Sequence, residues 1–165
     1  MYSCDISHLS YEEAIRKLSA ITPDLNNIKC QIEFDAEHSR SKIIRDFVGS
    51  IFDLHAINHP WRGRFILITD ELINNAIEHG SIDGDIDSCI IEAGLDMNNE
   101  FYISLEVHDT GNGKDAKDAK HMEDIRNNRL KHSSNEGIYM KKRGRGLFHI
   151  TEKLVDKLSF SISPL

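Results

Sequence analysis

Apolar residues recur along this chain with two periods, 3.6 and 2, and the changes of period mark out its elements. Over residues 9–21, Ile15, Leu18 and Ile21 share one side of a short amphipathic helix. Ser10 and Glu13 have capping-box spacing, and Pro23 ends the element. Residues 27–34 alternate, with Ile28, Cys30, Ile32 and Phe34 on one face, and read as a strand. Asp35 is placed to cap a second helix that runs to Leu54. Its buried stripe is Ile43, Ile44, Phe47, Val48, Ile51 and Phe52. After a turn over 55–59, Pro60 suits the first position of a third helix, which runs to His79 and stops at Gly80. A polar turn leads to a strand over 88–95, and a second turn at Asn98 and Asn99 brings the chain back along 101–108, as in a hairpin. From Gly111 to Arg143 the periodicity fades, which marks a functional or disordered loop. A helix over 147–156 and a short strand over 158–162 complete the order α-β-α-α-β-β-loop-α-β. That order predicts an α+β two-layer sandwich with helices on one face of a sheet.

At 165 residues the chain is about one domain, long enough to close a core without disulfide or metal. Its net charge of −7 excludes a general attraction to nucleic acid or to an anionic bilayer. The charge is uneven. Ten of the 20 Lys/Arg but only five of the 27 Asp/Glu lie in residues 114–145, so that stretch carries +5 and the remainder −12. Such asymmetry points to a local anion site. Cys4, Cys30 and Cys89 form no Cys-x-x-Cys pair and no readable disulfide framework. The first residues lack the basic and apolar regions of a secretory signal, and no apolar run approaches the ~20 residues of a membrane span. A cytoplasmic protein is expected.

Three segments carry candidate chemistry. On the third helix, Phe65, Ile66, Leu72, Ile73, Ala76 and Ile77 cluster on one arc, and Glu71, Asn75 and Glu78 fall opposite. Glu71 and Asn75, one turn apart, therefore project together from a helix whose other side is core. The strand over 101–108 runs into Asp109, followed by Gly111 and Gly113, which places a carboxylate beside backbone that a ligand can approach. Gly144 and Gly146 open the last helix, where free N–H groups and the helix dipole favour phosphate. The basic stretch lies between the two glycine pairs.

ELINNAIEHG, DTGNG and GRGL, in this order and spacing, resemble the N box and the two glycine boxes of the GHKL ATPase superfamily. The resemblance covers residues 28–163. It is closer to the bacterial anti-sigma factor serine/threonine kinases, through the glutamate opening the N box, the ending Glu-His-Gly, and GRGLFHITEKLVDKLSF. It implies the Bergerat fold, a two-layer α+β sandwich with helices on one face of a mostly antiparallel mixed sheet. The domain would occupy residues 27–165 with a lid over 114–143, preceded by an N-terminal helical extension over 1–26 that the family does not account for. ATP and Mg²⁺ are the implied cofactors. Asn75 corresponds to the magnesium-binding asparagine, and one amide oxygen plus phosphates suits that ion. Asp109 corresponds to the acceptor of the adenine amino group, and Gly111 and Gly113 lie beneath the base. Arg143, Gly144, Arg145, Gly146 and Leu147 form the phosphate side, where Lys142, Arg143 and Arg145 are candidates to neutralise charge. Glu71 corresponds to the general base, a role worth roughly 10²–10⁴-fold.

The resemblance implies transfer of the ATP γ-phosphate to a serine or threonine of a STAS-type anti-anti-sigma protein, with a sigma factor as a second partner and a homodimer as the assembly. No nucleic acid or membrane is expected as a direct partner. The alternatives are a nucleotide-gated binding module without kinase activity and a histidine-kinase-like ATPase domain. The lid is long for a compact anti-sigma kinase. His55 and His59 have His-x-x-x-His spacing but lack the following glutamate of a zinc protease, and read as turn residues. His79 is expected to pack or cap, His108 and His149 to be structural, and Trp61 to anchor the third helix.

Overall fold

A computed structural model describes residues 1–21, 27–132 and 157–165. In chain order the elements are β1 (Tyr2–Asp5), α1 (Tyr11–Ser19), β2 (Asn27–Asp35), α2 (Ser39–Leu54), α3 (Trp61–Asn75), a π-helical turn (Ala76–Gly80), β3 (Ile86–Leu95), β4 (Phe101–His108) and α4 (Ala119–His132). The strands form a mixed four-stranded sheet in the order β1-β2-β3-β4. β1 runs parallel to β2, and the other pairs are antiparallel. The α+β reading therefore holds, with helices packed on one face.

Register explains the layering. Cys4 lies opposite Ile32, Ile32 opposite Cys89, and Cys89 opposite Val107. Because side chains alternate, this row and its neighbours Ile28, Cys30, Phe34, Ile91 and Ala93 all face the helices. α2 covers them with the stripe its periodicity predicts, from Ile43 to Phe52, every member of which is buried. The opposite face of the sheet is polar and includes the Lys29–Glu92 ion pair at 2.6 Å.

Differences from the sequence pattern have local causes. Residues 2–5 are a strand that periodicity alone does not reveal, since only Cys4 of the four is buried. The first 21 residues contribute Cys4, Ile6, Ala14 and Leu18 to the common core. α1 does begin with the expected capping box, with the Glu13 N–H donating to Ser10 Oγ and the Ser10 N–H to Glu13 Oε2. Asp35 does not cap α2; it ends β2, buried, and binds the Arg40 side chain. Pro60 precedes α3 rather than opening it. The third helix is not α-helical throughout, because its last five residues form the π turn. β3 begins two residues earlier than predicted.

Residues 119–132 form α4, where the pattern predicts no element. Its residues are mostly strong helix formers with neither Gly nor Pro, and Asp118 caps it by accepting the His121 N–H at 2.7 Å. Propensity and a cap, rather than an apolar stripe, form this helix. The expected strand over 158–162 is absent, since residues 157–165 have no regular structure. The expected helix over 147–156 and most of the second half of the lid lie outside the described residues.

Candidate functional site

α3 is held on α2 by polar contacts beside the predicted site. Asp70 Oδ1 accepts from Ser41 Oγ at 2.7 Å and from Arg45 Nη1 at 3.1 Å. The next residue is Glu71, and Asn75 comes one turn on; both are half-buried. The predicted core arc is slightly rotated. Ile68, Thr69, Ile73, Ala76 and Ile77 are buried, whereas Phe65, Ile66 and Leu72 are half-buried.

The π turn then changes the direction of the chain. A π turn places an extra residue in the helical repeat and so shifts the residues after it. Here it delivers His79 and Gly80 against the loop after β4. The Gly113 N–H donates to the Gly80 carbonyl at 3.0 Å. A Cβ on Gly80 would overlap the Asp109 side chain, and a Cβ on Gly113 would overlap the His79 carbonyl. Gly80 is the last residue of the helical turn, as its position predicts, and close approach rather than backbone conformation requires glycine there. Gly111 has φ +71°, so this position does use glycine's freedom.

Asp109 is half-buried, and its Oδ1 accepts the Gly111 N–H at 3.0 Å. A second carboxylate fastens the same loop. Asp85 Oδ2 accepts from Thr110 Oγ1 at 2.5 Å, from the Ile82 N–H at 3.1 Å and from Asn112 Nδ2 at 3.2 Å. The Thr110 hydroxyl, then the Ile82 amide, hold its carboxyl below the usual range. The Thr110 N–H donates to Ser81 Oγ at 3.2 Å, and Ser81 Oγ donates to Asp87 Oδ1 at 2.5 Å.

Asp87 is a residue that the sequence motifs do not single out. It is fully buried, and its Oδ2 has no hydrogen-bond partner. Burial pushes its carboxyl up to about 6; the Ser81 hydroxyl opposes this, the charges of Asp109 and Asp85 add to it, and the Thr110 N–H works against it. The sequence does hold a signal, because Asp87 is in phase with the inward-facing Cys89, Ile91 and Ala93, where a charge is out of place.

The structure thus brings the end of the N box, Asp109 and Gly113 together, and places Glu71 and Asn75 on the helix that leads there. Gly144, Gly146, Arg143, Arg145 and Leu147 lie outside the described residues, as does His149. Trp61 does not anchor α3; it is 59% exposed, with Arg64 over its ring. His55 packs on Phe101, and His108 is buried with Nε2 3.1 Å from Glu106 Oε1. Among the described residues no group of three or more His, Cys, Asp and Glu is placed to hold a metal ion, and no helix is long and apolar enough to cross a membrane.

The residues present fit a purine nucleotide with magnesium. Gly111, two residues after Asp109, has open space where a side chain would stand, and the Asp109 carboxylate beside it is an acceptor of the kind a purine amino group needs. Asn75 offers an amide oxygen, which suits an ion that keeps several waters and takes few protein ligands. A family model described as the histidine kinase-like ATPase domain matches residues 32–164. No characterised protein and no solved structure matches the chain.

Proposed function

The chain belongs to the histidine kinase-like ATPase family, and on that premise we propose that it is an ATP-dependent protein serine/threonine kinase of the anti-sigma-factor type. Its substrate would be a STAS-type anti-anti-sigma protein, and a sigma factor its second partner. The contact between the end of the N box and the Asp109 loop carries the nucleotide half of this reading, through Gly80, Asp109 and Gly113. The kinase half rests on Glu71, whose carboxylate stands one turn before Asn75 on the same helix.

Each residue has a definable task. Asp109 accepts the exocyclic amino hydrogen of the base through its carboxylate, with the Gly111 N–H fixing its other oxygen. Asn75 would hold magnesium, which when bound offsets phosphate charge. Glu71 accepts the proton of the attacking hydroxyl and orients it. Phosphoryl transfer depends mainly on positioning and charge compensation, so few protein groups are needed. The ten Lys/Arg of residues 114–145 supply cations for a polyphosphate.

The test is incubation with labelled ATP, Mg²⁺ and STAS-domain proteins encoded near this chain. Glu71→Gln is expected to retain ATP binding and to lose roughly 10²–10⁴-fold in transfer. Equal transfer by the variant removes Glu71 as base. If ATP is required for partner association and no phosphorylated partner forms, the chain is instead a nucleotide-gated binding module.

A further inference from the structure

The last rung of the β3–β4 ladder pairs Ser88 with His108. The next positions along the two segments are Asp87 and Asp109, and the two carboxyl groups are near enough where the strands diverge for the charge of Asp109 to act on Asp87. Like charges on neighbouring strands destabilise each other. Their surroundings differ. Asp109 is half-buried at the glycine-lined side of the loop, whereas Asp87 is fully buried beneath it. Asp87 Oδ1 accepts from the Ser81 hydroxyl, the Thr110 N–H lies near enough to the carboxyl to favour its ionised form, and Oδ2 is buried with no hydrogen bond of its own. A buried oxygen left bare is costly for an ionised carboxylate and much less so for a carboxylic acid.

We propose that Asp87 is a positioning residue for nucleotide binding: a bound nucleotide draws a solvent proton onto Asp87, and the neutral acid so formed under the loop leaves Asp109 as the charged carboxylate facing the purine. This rests on the nucleotide half of the proposed function. The groups that face Asp87 are Ser81 and Asp85 after the π turn, Asp109 and Thr110 after β4, and Phe34 across the sheet on β2. The charged members of that set are both acidic. Of the adjoining histidines, His108 lies on the other face of the sheet beside Glu106, and His79 belongs to the π turn, where Gly113 packs on its carbonyl. A bound nucleotide removes water from Asp109 and adds phosphate charge. Both strengthen the repulsion an ionised Asp87 would feel. With its carboxyl pushed up to about 6, Asp87 is mostly ionised at pH 7 and takes up the proton on binding. Affinity contributed by this group therefore falls as pH rises above that value.

The experiment is calorimetric titration of the full chain with MgATP at pH 6, 7 and 8, in buffers of different ionisation enthalpy. Wild type is compared with Asp87→Asn, which keeps the shape and cannot ionise. At pH 7 the wild type is expected to take up roughly half a proton more per nucleotide than the variant. Its affinity is expected to fall severalfold more between pH 6 and pH 8. Proton release or uptake by ATP itself and by the histidines is common to both proteins and cancels. Equal proton uptake by two proteins that both bind ATP overturns this inference and leaves the proposed function standing. A wild type that binds no ATP overturns both. Should Asp87→Asn fail to fold, the carbon-13 resonance of the Asp87 carboxyl in the wild type gives the same answer. Its titration midpoint is expected to rise when MgATP is added, and an unmoved midpoint overturns the inference.

Discussion

Asp87 and Asp109 carry the same side chain on neighbouring segments, and burial sets them apart. Raising the Asp87 carboxyl to about 6 has a thermodynamic consequence. Unfolded, this group ionises near the ordinary aspartate value; folded, it holds its proton to higher pH. Stability therefore declines as pH rises through that interval, and the penalty is complete above the folded value. A side chain kept at such a cost in a core is a candidate for function rather than for packing. Asp109 gives the sharper test of base recognition. A hydrogen bond involving a charged group is worth roughly 1.5–3 kcal/mol, so Asp109→Ala is expected to weaken ATP binding by roughly 10–100-fold. Calorimetry with ATP checks this, and unchanged affinity removes Asp109 as the acceptor. Asp109 is legible in the sequence because a polar residue followed by two glycines ends an alternating strand. Asp87 escapes notice because its neighbours make a conventional buried strand.

At the scale of elements, the turn from α3 into its π-helical end decides how the loop after β4 is met. Periodicity gives a π turn no separate signature, since it changes the repeat for only five residues, Ala76 to Gly80. The glycines reveal the geometry. A methyl group added at Gly63 in α3 would meet nothing within 4 Å, so Gly63→Ala is expected to stabilise the helix by up to about 1 kcal/mol. Gly80→Ala is expected to do the opposite. Its methyl group would displace Asp109, costing about 1–3 kcal/mol and weakening nucleotide binding together with stability. Thermal unfolding and ATP titration of the two variants check both signs. An equally stable Gly80→Ala that binds ATP normally would show that the contact is not required. α4 presents the reverse case. Its residues form a helix by propensity and a cap, so a search for an apolar stripe passes over it.

For the molecule as a whole, the N-terminal segment is joined to the domain by β1 in the sheet, by its core residues, and by backbone contacts to a buried ion pair between Arg40 and Asp35. Arg40 donates from Nε and Nη2 to the two oxygens of Asp35 and from Nη1 to the Leu9 carbonyl at 2.7 Å. The His8 N–H reaches the same carboxylate. Burial works to raise the Asp35 carboxyl, and the Arg40 hydrogen bonds outweigh it, leaving it below its ordinary value. The stability it contributes is present above the ordinary aspartate range and is lost as pH falls through the lowered value. Removing one partner of such a pair strands a buried charge, so Arg40→Ala is expected to cost about 3–5 kcal/mol in denaturant unfolding at neutral pH. A loss below about 1 kcal/mol would show that solvent reaches Asp35 once the arginine is gone.

Sequence alone determined the α2 stripe, the alternating faces of β2, the hairpin of β3 and β4, and the order of the N box and the glycine boxes. Each depends on residues close in the chain, where period, turn chemistry and capping act directly. Only the tertiary structure decided that β1 joins the sheet edge, that Asp35 serves Arg40 rather than a helix cap, that Gly80 gives way to Asp109, and that Asp87 lies buried near it. These depend on which distant segments meet, and a side chain's solvent, partners and charge state are set by those neighbours rather than by its own place in the pattern.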